Sequence, residues 1–357
     1  MIFNSRIQLT TVALIGSCLT CWLILSTISF SFPWWGEWSS SVCDHQDRRT
    51  LPLRTSSNTQ TKFDYYDMDG LNTTNQVHHE NNLEHVLILT PFKESARHIE
   101  RYFENVNRLT YPHNLISLAF LVSDSNDGTV EKLQEYAGRF RFQQEAWQRF
   151  RRISIFQRDF SFELAGNEDR HAFEVQVKRR QIMAKSRNTL LSAALTEEIS
   201  WVLWLDGDVI EYPATLLEEL ISLDKDIVVP NCYWHSYNEE GGYDKNNWQE
   251  TPESWALQKT LEPEDVLVEG YKELTTHRRL MIDMKGADDR TDIFYAVPLD
   301  GVGGTCTLVK AEVHRNGAVF PPFSFKHQVE TEGLAKMAKA LGYEVWGLPN
   351  YLVYHFI

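Results

Sequence analysis

Trp201-Val202-Leu203-Trp204-Leu205-Asp206-Gly207-Asp208 is an apolar run of five residues leading straight into two carboxylates one glycine apart. A short apolar run bounded by turn residues reads as a fully buried strand. In an open α/β sheet, ligands bind beyond the carboxyl ends of the strands, so the two aspartates fall at the ligand edge. Two carboxylates this close can hold one divalent cation, and glycine lets a ligand approach the backbone. A D-x-D triplet is common by itself, and Asp206 can equally cap a turn or Asp208 begin one. The strand end is what makes the pair a candidate site.

Outward from this stretch the pattern repeats. Val86-Leu87-Ile88-Leu89, Ser117 to Val122, Ile153 to Phe156 and Ile227-Val228-Val229 read as further strands. His171 to about Leu195 and Ala214 to Leu223 read as helices. Strands alternating with helices predict an α/β fold with a mostly parallel sheet and helices on both faces. Thr90-Pro91-Phe92-Lys93 and Ser123-Asp124-Ser125 fall at the same edge as Asp206. From Tyr233 to about Asp265 the chain is polar, aromatic and long for a connector. Its Trp234, Tyr237, Tyr243, Trp248 and Trp255 suit sugar rings or ordinary packing equally well. No Walker loop occurs, and no G-x-G-x-x-G follows a strand.

Four further groups carry possible chemistry. Arg187, in Lys185-Ser186-Arg187-Asn188, is a fork for phosphate or carboxylate, a solvated helix charge, or a structural partner of Asp206. Asp300-Gly301-Val302-Gly303-Gly304-Thr305 is a tight turn or a backbone cradle for an anion or sugar. Glu330 and Glu332 precede the amphipathic run Leu334 to Leu341, where acidic residues stabilise a helix start. Their other reading is a carboxylate facing an acceptor. His355 closes the apolar segment Tyr351-Leu352-Val353-Tyr354 as a structural histidine or a metal ligand.

The whole chain has 357 residues, 49 acidic against 35 basic, for a net charge of −14. That balance argues against an electrostatic nucleic-acid binder. With 43% hydrophobic and 24% charged residues it is neither mostly disordered nor a multi-pass membrane protein. No charged residue lies between Arg6 and Glu37, and Leu9 to Phe32 is strongly apolar. The stretch is long enough to cross a bilayer and longer than the apolar core of a cleaved leader. Residues 1–8 therefore read as a cytoplasmic tail, 9–32 as a transmembrane signal anchor, 33–82 as a luminal stem and 83–357 as the luminal α/β domain. Asn72-Thr73-Thr74 is a glycosylation sequon on the luminal side. Cys232 and Cys306 are either a disulfide or two buried free thiols.

Taken together, these residues resemble a family: the fungal Golgi mannosyltransferases of the mannan polymerase complexes, the Anp–Mnn–Van family. The resemblance runs from about Val86 to His355. It rests on Leu-Thr-Pro-Phe-Lys at 89–93, Ser-Arg-Asn at 186–188, Trp-Leu-Asp-Gly-Asp-Val at 204–209 and Val-Val-Pro-Asn-Cys at 228–232. Leu-Asp-Gly-Val-Gly-Gly-Thr at 299–305, Glu-Thr-Glu-Gly-Leu-Ala-Lys-Met at 330–337 and Gly-Leu-Pro-Asn-Tyr at 347–351 complete it. The resemblance implies a GT-A-type glycosyltransferase fold, GDP-mannose as donor and Mn²⁺ as cofactor. It implies a type II Golgi membrane protein that transfers mannose to a mannan or N-glycan outer-chain acceptor in α-1,6 linkage, with retained configuration, alongside sister subunits. Asp206, Asp208 and His355 match its metal site. Thr90, Pro91 and Asp124 match its nucleotide edge, with Arg187 near the ribose or diphosphate. Asp300, Glu330 and Glu332 are the candidates for orienting the acceptor. Where the resemblance leads one to expect alanine inside D-x-D, this chain has Gly207, a change expected to loosen the backbone. The close of the chain soon after His355 leads one to expect a less restrained histidine. The alternative activity is that of a mainly structural, acceptor-binding subunit with little turnover of its own.

Overall fold

Val86, Leu87, Ile88 and Leu89 are all wholly buried, which a strand achieves only when both faces of its sheet are covered. The structure, a computed structural model, describes residues 53–54, 66–67, 84–141, 148–162, 172–236, 239–287 and 290–356. Its strands are β1 (His85–Phe92), β2 (Ile116–Val122), β3 (Arg152–Gln157), β4 (Ile199–Leu205), β5 (Val209–Glu211), β6 (Ile227–Ser236), β7 (Glu239–Gly242), β8 (Trp248–Gln249), β9 (Arg279–Leu280), β10 (Val297–Pro298), β11 (Cys306–Lys310) and β12 (Val345–Phe356). Its helices are α1 (Ile99–Asn107), α2 (Thr129–Arg141), α3 (Phe173–Ala194), α4 (Leu216–Ser222), α5 (Pro252–Gln258), α6 (Ala311–Arg315) and α7 (Glu330–Ala340). A further short antiparallel pair joins Leu53–Arg54 to Tyr66–Asp67.

The central sheet runs β10-β12-β6-β11-β4-β1-β2-β3, with β5 on β12 and β7 on β6. On one face, α1 buries Ile99, Tyr102, Phe103 and Val106, spaced as one helical stripe, against Ile88, Phe120 and Leu203. α4 adds Leu216, Leu217 and Leu220 to that layer. On the other, α3, α6 and α7 bring Ala184, Leu190, Val313, Leu334 and Ala338 onto Leu87, Leu89, Val202 and Trp204. Each fully buried side chain of this kind stabilises the fold by about 1.5–3 kcal/mol. The α/β reading and the helices on both faces are therefore as expected.

So is the mostly parallel sheet: six of the eight strands on that path run the same way, with β10 and β11 reversed. β1, β2, β3 and β4 are mutually parallel, and β12 is parallel to β6. β11, however, enters antiparallel between β4 and β6, pairing Cys306 with Leu205 and Leu308 with Val228. The cause is where the chain re-enters. Thr305 stands at the carboxyl edge, its carbonyl accepting from Asp206 N at 2.9 Å. A strand starting there can only run back against its neighbours.

The polar stretch after Tyr233 is not a bare loop. It continues β6 into a hairpin with β7, then β8 and α5, whose Thr251 cap accepts from Ser254 N. Cys232 and Cys306 are buried and free. The expected tail and anchor, Asn72 and Tyr237 lie outside the described residues; among those described, no helix is long and apolar enough to cross a membrane.

Candidate functional site

A cleft of about 770 Å³ opens at the carboxyl ends of β1, β2, β3 and β4. Pro91 and Lys93 come from the end of β1, Ser123 to Asn126 from the turn after β2, and Asp206 to Asp208 from the turn after β4. α3 lends one side, including Ser186 and Arg187. Asp124 lies in the left-handed region at φ 45°. Its carboxylate accepts from Ser161 N at 3.1 Å and its own N–H donates to Asp159 at 2.9 Å. Thr90 is not in the cleft: its hydroxyl shares a 2.8 Å hydrogen bond with Tyr102 in the core.

Arg187 is the hinge of the cleft floor. It is 1% exposed. Nε donates to Glu330 Oε1 and Nη2 to Asp206 Oδ1, both at 3.0 Å. Trp204 and Phe320 flank the guanidinium at 5.4 and 5.6 Å. The Ser-Arg-Asn stretch explains the arrangement, since Asn188 fixes Phe320 through both its backbone groups, at 2.7 and 3.0 Å. Gly304 belongs to it too, because a β-carbon there would stand 2.3 Å from Arg187 Nη2. Nη1 is buried without a hydrogen-bond partner among the described residues.

Asp206 and Asp208 sit in opposite environments. Burial pushes Asp206 up to about 6; Arg187 pulls it down, while Asp208 and Glu330 repel its charge. Burial also acts on Asp208, but its hydrogen bond to His355 and the charge of that ring hold it below the ordinary carboxylate value. Burial lowers His355, and the bond and charge of Asp208 outweigh that and raise it.

His355 is placed by β12. It pairs with Val209 on one side and Trp234 on the other, and a register shift at Tyr354/His355 re-aims the strand beside the site. Phe356 N donates to Asp208 O at 2.9 Å. The histidine is thus held in a strand paired on both sides, not loosely restrained. Its Nε2 lies 3.1 Å from Asp208 Oδ1. That is the length of the hydrogen bond between them, and a divalent cation bound by both would take the place of its proton. The three-residue cluster does not form: among the described residues, no three His, Cys, Asp or Glu side chains are grouped to hold a metal. Asp206 is turned to Arg187 instead. Asp208 and His355, a carboxylate and an imidazole at the cleft's edge, are the two residues that would hold a divalent cation from the protein side.

The carboxylates read as acceptor-facing lie elsewhere. Glu330 starts α7 at φ 53° and is 4% exposed, under Arg187. Glu332 is fully buried, paired with Arg180 and accepting from Trp248 Nε1 at 2.8 Å. Arg278, Glu250, Glu269 and Lys336 belong to the same interior ionic cluster. Asp300 pairs with Lys339 and accepts from Glu250 N at 2.8 Å. None of the three lines the cleft. Reading the sequence missed Arg180, Arg278 and the wall residues Gln157, Asp159 and Arg179. One signal was present: Arg180 and Arg187 are two helical turns apart, hence on one face of α3.

Comparison with known proteins adds the following. The Anp1 family model matches residues 62–324. The chain is 42% identical over 320 residues to the mannan polymerase complex subunit MNN9 of Candida albicans, covering 87% of this chain and 84% of that protein. It is 38% identical over 278 residues to the mannan polymerase II complex ANP1 subunit of Saccharomyces cerevisiae, covering 76% of this chain and 55% of that one. A solved mannosyltransferase of Pyrobaculum calidifontis, PcManGT in complex with GDP-Man and Mn²⁺, aligns with 76% of this chain and 56% of its own, at 14% identity and a TM-score of 0.40. That last likeness is too slight to bear on the fold.

Proposed function

The chain belongs to the Anp1 family, and we propose that it is a GT-A-type retaining glycosyltransferase moving mannose from GDP-mannose to a mannan acceptor in α-1,6 linkage. In this reading it works beside sister subunits, as the names of its relatives suggest, and is anchored in the Golgi membrane by residues 9–32 with the catalytic domain luminal. The observation that carries the reading is the contact of Asp208 with His355 beside a cleft that Asp206, Asp208 and Arg187 line.

The nucleotide lies along Pro91 and Asp124, and its diphosphate approaches Asp208 and His355. A Mn²⁺ ion held by these two would offset the charge developing on the leaving diphosphate. Arg187, fixed on Asp206 and Glu330, supplies a positive charge in a poorly hydrated place, where it is worth more than in water. Glu330 acts through Arg187, holding the guanidinium in plane. The acceptor hydroxyl passes its proton to the departing phosphate oxygen, so no carboxylate base is needed in the cleft. Glu330, Glu332 and Asp300 then position side chains and do not touch the acceptor.

The test is Asp208→Asn in the full chain, assayed for transfer from GDP-mannose with and without Mn²⁺. Loss of metal-dependent transfer with an unchanged melting profile is expected. Unchanged turnover sinks the assignment. A wild-type chain that binds acceptor and sister subunits yet transfers nothing would instead make it the structural, acceptor-binding subunit.

A further inference from the structure

A histidine that ligates a metal through one ring nitrogen ordinarily donates its other N–H to a carboxylate, carbonyl or water, and that second bond fixes the plane of the ring. His355 departs from this. Nε2 faces Asp208, while Nδ1 is buried and makes no well-aligned hydrogen bond among the described residues, the backbone of Phe356 being the polar group beside the ring. What lies flat against the imidazole is Tyr243, its ring centroid 3.8 Å away and the two planes 16° apart.

Tyr243 is placed as firmly as the histidine. Its N–H donates to Cys232 O at 3.0 Å, and the N–H of Asp244 reaches the same oxygen at 3.2 Å. The Asp244 carboxylate is tied down by Thr305 Oγ1 at 2.9 Å and by Asn246 N at 3.0 Å. Cys232 is the register partner of Val353, two residues before His355. The β6–β7 hairpin and the strand it lies beside therefore deliver the two rings face to face.

We infer that Tyr243 is a positioning residue for His355. The stack fixes the plane of the ring where no well-aligned Nδ1 hydrogen bond does, and keeps Nε2 aimed at the cation shared with Asp208. This rests on the metal reading of the site. Stacking needs the ring and not the hydroxyl, so Tyr243→Phe should bind Mn²⁺ as the wild type does. Tyr243→Ala and Tyr243→Leu should weaken binding by about 10–100-fold, the usual cost of losing an outer-shell partner.

The experiment measures Mn²⁺ affinity of the full chain by electron paramagnetic resonance of the free ion, with and without GDP, and needs no turnover. Tyr243 is 37% exposed, so its truncation opens little cavity, and Tyr243→Leu keeps the bulk should the alanine variant melt early. The expected result is the ranking wild type equal to Phe, with Leu and Ala weaker. If the wild type takes up no Mn²⁺, or His355→Ala binds as well as wild type, the metal reading falls and this inference with it. If His355→Ala is weak but Tyr243→Ala and Tyr243→Leu match the wild type, only the positioning role is overturned. A Tyr243→Phe variant as weak as alanine would also overturn it, since the hydroxyl would then be the active part.

Discussion

Gly207 and Phe92 touch so closely that a β-carbon on Gly207 would stand 2.1 Å from Phe92 Cε1. The ring has little room to yield: it is 2% exposed and packs on Tyr102 and Phe120 at 5.6 and 5.7 Å. Glycine between the two aspartates is therefore a packing requirement, not a loosening of the backbone. Gly207→Ala should cost about 1–3 kcal/mol, the range for overpacking a filled core. Denaturant unfolding measures it. Pairing the change with Phe92→Leu should recover part of the loss, and an alanine variant as stable as the wild type would refute the account.

Arg187 is the one cation that forms an ion pair with Asp206 or Glu330 among the described residues, with the charge of Arg180 also acting on Glu330. Replacing it by methionine strands both. Removal of one partner from a buried ion pair costs about 3–5 kcal/mol, and Arg187→Met should fall in that range or above it. Arg187→Lys should rescue little, because one ammonium cannot serve two acceptors as a planar fork does. Equilibrium unfolding of both variants checks the ranking.

Glu332 and Asp300 should behave quite differently. Glu332 is interior, so Glu332→Gln leaves Arg180 without its carboxylate partner, while Arg278 keeps Glu250 and Glu269, and should lose about 3 kcal/mol or more. The Lys339 partner of Asp300 is 40% exposed, so Asp300→Asn should cost under about 1 kcal/mol. Melting curves of the two variants side by side decide it; equal losses would contradict the assigned environments.

His314 supplies a pH dependence remote from the cleft. Burial pushes it down to about 4, its Nε2 accepting from Trp204 Nε1 at 3.1 Å and its Nδ1 facing Ala318 O at 2.8 Å. The folded value lies below the ordinary 6.5, so the unfolded chain binds the proton first as pH falls. The stabilisation is complete above pH 6.5 and is lost progressively toward pH 4, by about 3 kcal/mol at about 1.4 kcal/mol per unit. Unfolding free energy followed across that window should show the decline. His314→Gln should be less stable at pH 7 and flatter between the two values.

The sequence announces what is local and continuous. Trp201 to Leu205 is legible as a buried strand because both its faces are apolar, and α3 because it is long. β12 is not, since Gly347, Pro349 and Asn350 interrupt its pattern and a bulge lies between Leu348 and Leu352. The direction of β11 has no local signature at all; it follows from where Thr305 stands. In the site, Asp206 is one of the partners open to Arg187 on spacing, but nothing near Arg187 points to Glu330. Trp248 looks like a sugar platform by composition, yet it is wholly buried beneath Arg278, whose guanidinium lies 3.6 Å from its ring. Aromatic content does not distinguish an exposed face from an interior one; only the fold does.

The late insertion of β11 bears on how the protein is made. As the chain is synthesised, β1, β2 and β4 can pair with one another early, but one edge of β4 stays open until residues 306–310 have been made and turned back into the gap. That edge carries Trp201, Val202, Leu203 and Trp204, an uncharged strand well suited to capturing another chain. Slow or interrupted synthesis after β6 should therefore favour aggregation, and the nascent protein should depend on chaperones most during that interval.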